Sequence, residues 1–121
     1  MATPFDSQPL TPAQQQEVID RAKATAVLSI VNVDIADTKA QLGFIYDAWV
    51  AASQPLPAQP PLDPKIPLRE SLAAQYWYMH DVLNALIAYR GAVLGWKLNA
   101  GQPNHPKDMP VLTIPPDTSK V

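Results

Sequence analysis

The sequence predicts an all-α protein in which two long helices form a hairpin. Six prolines lie between Gln54 and Pro67 and separate two long segments that contain none. In each segment apolar residues recur in steps of three and four, which is the spacing of one face of a helix. We therefore expect an N-terminal arm over 1–11, a hairpin domain over 12–100 with a Pro-rich linker at 54–67, and a Pro-rich C-terminal arm over 101–121.

The first helix is predicted over about 12–53. Thr11 is a suitable N-cap, Pro12 stands at the first helical position, and Gln14 is placed to complete a capping box. Two features oppose this assignment: residues 31–35 alternate apolar and polar as a strand does, and Gly43 lowers helix stability by about 1 kcal/mol. The helix is favoured because nothing between Thr25 and Asp37 resembles a turn. Its predicted apolar face consists of Leu28, Val31, Ile35, Thr38, Leu42, Ile45 and Trp49.

The second helix is predicted over about 67–99. Pro67 can begin it, Glu70 suits the positive end of the helix dipole, and Gly101 with Pro103 marks its end. Two matched faces predict an antiparallel pair. A Pro-rich linker of this length can reach about 43 Å, so exchange of helices between subunits is an alternative. The predicted apolar face consists of Met79, Val82, Leu86, Tyr89, Val93, Trp96 and Ala100.

Residues outside both faces need a further covering element. Val27, Ile30 and Val33 fall beside the first face, and Leu83 and Ile87 beside the second. A third element of this chain, a second copy or another protein would each serve. In the C-terminal arm, residues 111–114 are strand-like between prolines, so we expect this arm to be disordered alone and to add to the edge of a partner's sheet.

Composition excludes several classes of function. The chain has 121 residues, a net charge of −2 and no cysteine, and only 17% of its residues are charged. The absence of a basic stripe argues against nucleic acid, and low charge density favours association with proteins. No secretory signal and no membrane span are expected, which predicts a cytoplasmic location or a place in an assembled particle such as a virion.

Residues capable of catalysis are few. His80 has no second ligand at helical spacing and is interpreted as a packing residue, whereas His105 is expected to be a solvated loop residue. Asp34 and Asp37 are most simply part of a solvated helix face. Gly91 and Gly95 favour a close helix crossing. We predict no enzyme, cofactor or metal site.

Aromatic and apolar side chains are the better candidates for function. Trp and Tyr dominate the energetics of protein interfaces, although a place in the core is equally compatible with the pattern. The residues predicted to bind a partner are Tyr76, Trp77, Tyr78, Trp96, Val111, Leu112 and Ile114.

The function predicted from these features is that of a non-catalytic structural or assembly subunit. It would act by helix packing and by arms that lace into neighbouring subunits, as in a homo-oligomer or a phage particle or tail. The alternative is a small helical binding or regulatory module that recognises a peptide or small ligand.

Overall fold

The computed structural model describes residues 9–53 and 66–119, with the backbone alone at Ile66. Helix α1 spans Pro12–Ala52 and helix α2 spans Ile66–Leu98, and the two pack against each other within one chain. The first and last residues of both helices lie within one residue of the predicted positions. The linker residues 54–65 and most of the N-terminal arm, residues 1–8, lie outside the described residues.

The start of α1 is held by the predicted capping box. The Thr11 hydroxyl accepts a hydrogen bond from the Gln14 backbone N–H, and the Gln14 side chain accepts one from the Thr11 N–H. Pro12 occupies the first turn, where no backbone N–H is needed. The strand alternative for residues 31–35 is wrong, since the helix runs through them without interruption.

The helices run antiparallel, because opposite ends of the two sequences meet. Ala24 and Leu28 share a buried cluster with Val93 and Trp96. The Arg69 guanidinium donates to the carbonyl of Ala52 at the linker end. A second cluster continues the core between these ends and consists of Val31, Ile35 and Leu86.

The predicted apolar face of α1 is buried from Leu28 to Leu42, and Ile45 beyond it is half-buried. Trp49, the last predicted member, is instead exposed. On α2 the predicted face is buried or half-buried throughout. The packing of α1 on α2 thus accounts for both periodic patterns.

The C-terminal arm folds back over the helix pair of its own chain. Met109 packs on the first core cluster and Leu112 on the second. The Tyr78 hydroxyl donates to the carbonyl of Pro115 at 3.1 Å. From Pro106 to Pro115 an extended chain covers roughly 28 Å, which matches the helical distance of about 27 Å from Trp96 to Tyr78. The arm therefore lies antiparallel to α2.

This arm is the third covering element that the sequence called for. Val27 and Leu83 are partly buried beside the core, together with Met109 and Leu112. Ile30 and Val33 on α1 and Ile87 on α2, in contrast, remain exposed. The expectation that the arm is disordered without a partner is wrong, because its inward side chains have an apolar surface of the same chain to bury against.

The two predictions that concern glycines have different outcomes. A close crossing of another helix of the same chain at Gly91 and Gly95 is wrong, because a methyl group built on either glycine would meet no described atom outside its own turns of helix within 4 Å. Gly101 ends α2 as predicted, with a φ of 87° that favours glycine. A Cβ at Gly101 would also lie 2.7 Å from the Glu17 carboxyl group.

Candidate functional site

Four aromatic side chains form a continuous surface near the linker end of the hairpin. We call it the aromatic patch: Tyr46 and Trp49 from α1, and Tyr76 and Trp77 from α2. The ring centroid of Tyr46 lies 6.4 Å from those of both Trp49 and Tyr76. Tyr76 meets Trp77 edge-on, with centroids 5.4 Å apart. These distances are those of favourable ring pairs, so the four rings support one another across the two helices.

The helical repeat explains why this surface is exposed. Tyr76, Trp77 and Tyr78 are consecutive, and neighbours on a helix point in directions about 100° apart. Tyr78 turns toward the C-terminal arm, while Trp77 points away from it and keeps 61% of its surface exposed. The interior can accommodate only some members of such a run, and Trp77 is the member left outside.

The patch encloses a shallow groove. Its walls are the four aromatic rings and Ala73, and its volume is about 310 Å³. His80 borders it, with its ring 5.6 Å from Trp77 and its Nδ1 within 3.4 Å of the Asn84 amide. The groove is mostly apolar, which suits a hydrophobic or aromatic side chain of a partner.

The other residues predicted to bind a partner are distributed between core and surface. Trp96 is only 5% exposed and donates through Nε1 to the carbonyl of Pro106, so its ring belongs to the core of its own chain. Leu112 packs on the core, and Tyr78 is half-buried under the arm. Val111 and Ile114 face outward. The structure brings Tyr76 and Trp77 together and places the other five elsewhere.

A buried polar cluster at the opposite end of the hairpin was missed by sequence reasoning. The His105 ring lies against Trp96 in a tilted arrangement, with ring centroids 4.4 Å apart, and donates from Nε2 to the Trp96 carbonyl at 2.8 Å. Its Nδ1 lies 3.5 Å from Asp20 Oδ2, and each of these two side chains is 8% exposed. Gln16 donates to the other carboxylate oxygen of Asp20 at 2.8 Å.

The expectation of a solvated His105 is therefore wrong. Residues 99–104 turn the chain back toward α1, and the ring is enclosed between Trp96 and Asp20. No local signal could have indicated this, because Asp20 lies at the start of the other helix. The cluster joins α1, the end of α2 and the arm, and it acts chemically as a structural connection.

Among the residues that the structure describes, no group of three or more His, Cys, Asp or Glu side chains is placed to hold a metal ion. Within the same residues, neither helix has a segment long and apolar enough to cross a membrane. No protein-family profile, no curated protein and no solved structure matches this chain.

Proposed function

We propose that this protein is a non-catalytic assembly subunit whose aromatic patch binds a neighbouring protein subunit. The observation that carries the proposal is the exposure of Trp77 within a cluster of four rings contributed by both helices. Tryptophan and tyrosine supply large contact areas and are the residues that most often dominate binding energy at interfaces.

Burial of the patch by a partner would be favourable, whereas its exposure to water has a cost. Apolar surface contributes about 25 cal/mol per Å² when it leaves water. Continuous apolar patches on soluble monomers commonly mark interaction sites. Only 17% of the residues are charged, and this low proportion fits a protein that functions within a complex.

The shape of the chain supports a structural role. Helix α1 is about 60 Å long and α2 about 50 Å, and the extended arm adds a third layer along them. Such an elongated unit offers long lateral surfaces relative to its 13.2 kDa mass. We infer a place in a larger homomeric assembly, such as the body or tail of a phage particle.

The experiment compares two variants that each remove an exposed apolar side chain. Trp77→Ala truncates the centre of the patch, and Leu98→Ala truncates an exposed residue at the other end of α2. Sedimentation velocity over a range of concentrations should show that Trp77→Ala loses the larger assembled species while Leu98→Ala keeps them. Equal assembly by wild type and Trp77→Ala would contradict the proposal.

A stability measurement keeps this test interpretable. Because Trp77 is exposed, Trp77→Ala should change the free energy of unfolding by less than about 1 kcal/mol. A loss of about 3–5 kcal/mol, typical of a core tryptophan, would show instead that Trp77 holds the fold together.

The groove within the patch favours a second candidate, a module that binds an apolar peptide side chain. Its volume of about 310 Å³ is sufficient for one indole or phenyl group. N-acetyltryptophanamide is a suitable probe, because it presents an isolated indole. Saturable shifts of the Trp49 and Trp77 indole N–H signals in NMR spectra would support this candidate, and the absence of shifts would count against it.

A further inference from the structure

The side of α1 that faces away from α2 is apolar along most of its length. We call it the outer face of α1. Its members recur in alternating steps of four and three, and every one of them is exposed: Ile19, Lys23, Ala26, Ile30, Val33, Asp37, Ala40 and Phe44. A helix at the surface of a monomer is normally polar on this side, and here only Lys23 and Asp37 are charged.

The spacing of the outer face is typical of a helix that packs against a second helix. An unbroken alternation of threes and fours is the repeat that brings side chains into one coiled-coil contact line. The outer face extends about 38 Å from Ile19 to Phe44. Neither α2 nor the arm covers it, since Ile30, Val33 and Phe44 are all largely exposed.

We propose that a second copy of this chain binds here, with the two α1 helices antiparallel and related by a two-fold axis between Ile30 and Val33. In this register Ile30 of each copy lies opposite Val33 of the other, and Phe44 lies opposite Ile19. Large apolar side chains thus meet at the centre and at both ends of the contact.

The two charged residues of the outer face, Lys23 and Asp37, indicate that the partner is a second copy of this chain. In the same register Lys23 lies opposite Ala40 of the other copy, and Asp37 lies opposite Ala26, so each charged side chain faces a small one. Lys23 is then three residues, about 4.5 Å along the axis, from Asp37 of the other copy. The contact forms two identical ion pairs, a self-complementarity that a two-fold pair of identical chains requires.

Neither charge is paired with another charged side chain in the part of the chain that the structure describes. Among the described residues, Lys23 and Asp37 form no ion pair, although Glu17 and Arg21 pair at 2.9 Å on the same helix. A parallel arrangement would place Lys23 beside Lys23 and Asp37 beside Asp37, which is unfavourable. The charges therefore select the antiparallel orientation.

Small residues along one edge of the outer face permit close approach of the second helix. They recur every seven residues: Ala22, Ser29, Ala36 and Gly43. Gly43 weakens the helix interior, and among the described residues no atom outside its own turns of helix lies within 4 Å of the position its Cβ would occupy. The antiparallel pair places Gly43 near Ala22 of the other copy. The absence of a side chain at Gly43 then lets the two helix backbones approach closely.

The test is a cycle of charge reversals measured by sedimentation equilibrium on the full chain. Lys23→Asp and Asp37→Lys each convert two attractive pairs into two repulsive ones, and each should weaken the dimer by about tenfold or more. The double variant restores both attractive pairs with reversed signs, so its dissociation constant should return to within about threefold of wild type.

Two other outcomes would overturn the inference. Single reversals that leave the dissociation constant unchanged would show that these charges do not meet across an interface. A double variant as weak as the single variants would show that they do not pair with each other. Ile30→Asp provides an independent check, because a charge at the centre of the contact should abolish the dimer while circular dichroism shows that the helices remain.

The inference and the proposed function fail separately, because they concern different surfaces. Trp77→Ala should lose assemblies larger than the dimer and keep the dimer itself. Ile30→Asp should lose the dimer even where the aromatic patch is intact. A wild-type chain that is monomeric at all concentrations would overturn the two-fold pairing directly.

Discussion

At the scale of single residues, the connection between the arm and the helices depends on Asp20 and His105. The imidazole donates from Nε2 to the Trp96 carbonyl, and its Nδ1 lies 3.5 Å from the Asp20 carboxylate. Because both side chains are almost fully buried, water cannot readily replace either contact. Asp20 and His105 therefore couple the N-terminal part of α1 to the arm.

We expect Asp20→Asn and His105→Gln each to lower the free energy of unfolding by about 1–3 kcal/mol. The double variant should lose less than the sum of the two, since the same interaction is removed only once. Chemical denaturation of all four proteins measures this coupling. Additive losses would mean that the two side chains act independently, and that the 3.5 Å approach contributes nothing.

The backbone conformation at Gly101, with a φ of 87°, favours glycine at this position. Its positive φ costs other residues about 1–2 kcal/mol, and a Cβ would collide with Glu17. The Glu17 carboxyl group is the end of a flexible side chain and can move aside, so Gly101→Ala should lower stability by about that amount. Adding Glu17→Ala removes the collision but not the backbone strain, so it should recover only part of the loss. Full recovery would assign the whole effect to the collision.

At the scale of elements, the arm contributes to stability through its inward side chains. Leu112 packs on the second core cluster, whereas its neighbour Val111 is 84% exposed. Leu112→Ala should lower the free energy of unfolding by about 1–2 kcal/mol, and Val111→Ala should change it by less than about 0.5 kcal/mol. Equal effects of the two substitutions would contradict the docking of the arm.

The helices were predictable from the sequence because their signals are local. Pro12 and Thr11 define the start of α1, and an apolar repeat of threes and fours defines its buried face. Helix α2 begins at Ile66, one residue before the predicted Pro67, because the first helical turn tolerates proline at this point.

The position of the arm was not predictable, because it depends on contacts between distant residues. Pro115 meets Tyr78, and His105 meets Asp20, with no spacing rule that relates either pair. Trp96 lies on the predicted apolar face of α2 and packs there with Ala24, Leu28 and Val93. Only its further contacts with Pro106 and His105 of the arm could not be predicted, for the same reason. The consecutive aromatic residues 76–78 cannot all face the interior, but the sequence left open whether Trp77 belongs to the core or to an interface, and the structure places it at the surface.

At the scale of the whole molecule, the hairpin has two apolar surfaces that residues 9–53 and 66–119 leave uncovered. The aromatic patch lies near the linker end, and the outer face runs along α1. The aromatic patch consists of large aromatic side chains around an apolar groove. The outer face combines an apolar repeat with self-complementary charges. Together they would let dimers formed through α1 join into larger assemblies through the patch.

The most direct test of this account is the mass of the full wild-type chain, measured by light scattering over a wide concentration range. We expect a mass at least twice the 13.2 kDa of one chain, rising further with concentration as the aromatic patch becomes occupied. A constant mass of 13.2 kDa at every concentration would contradict the account, because both exposed surfaces would then remain uncovered by copies of the same chain.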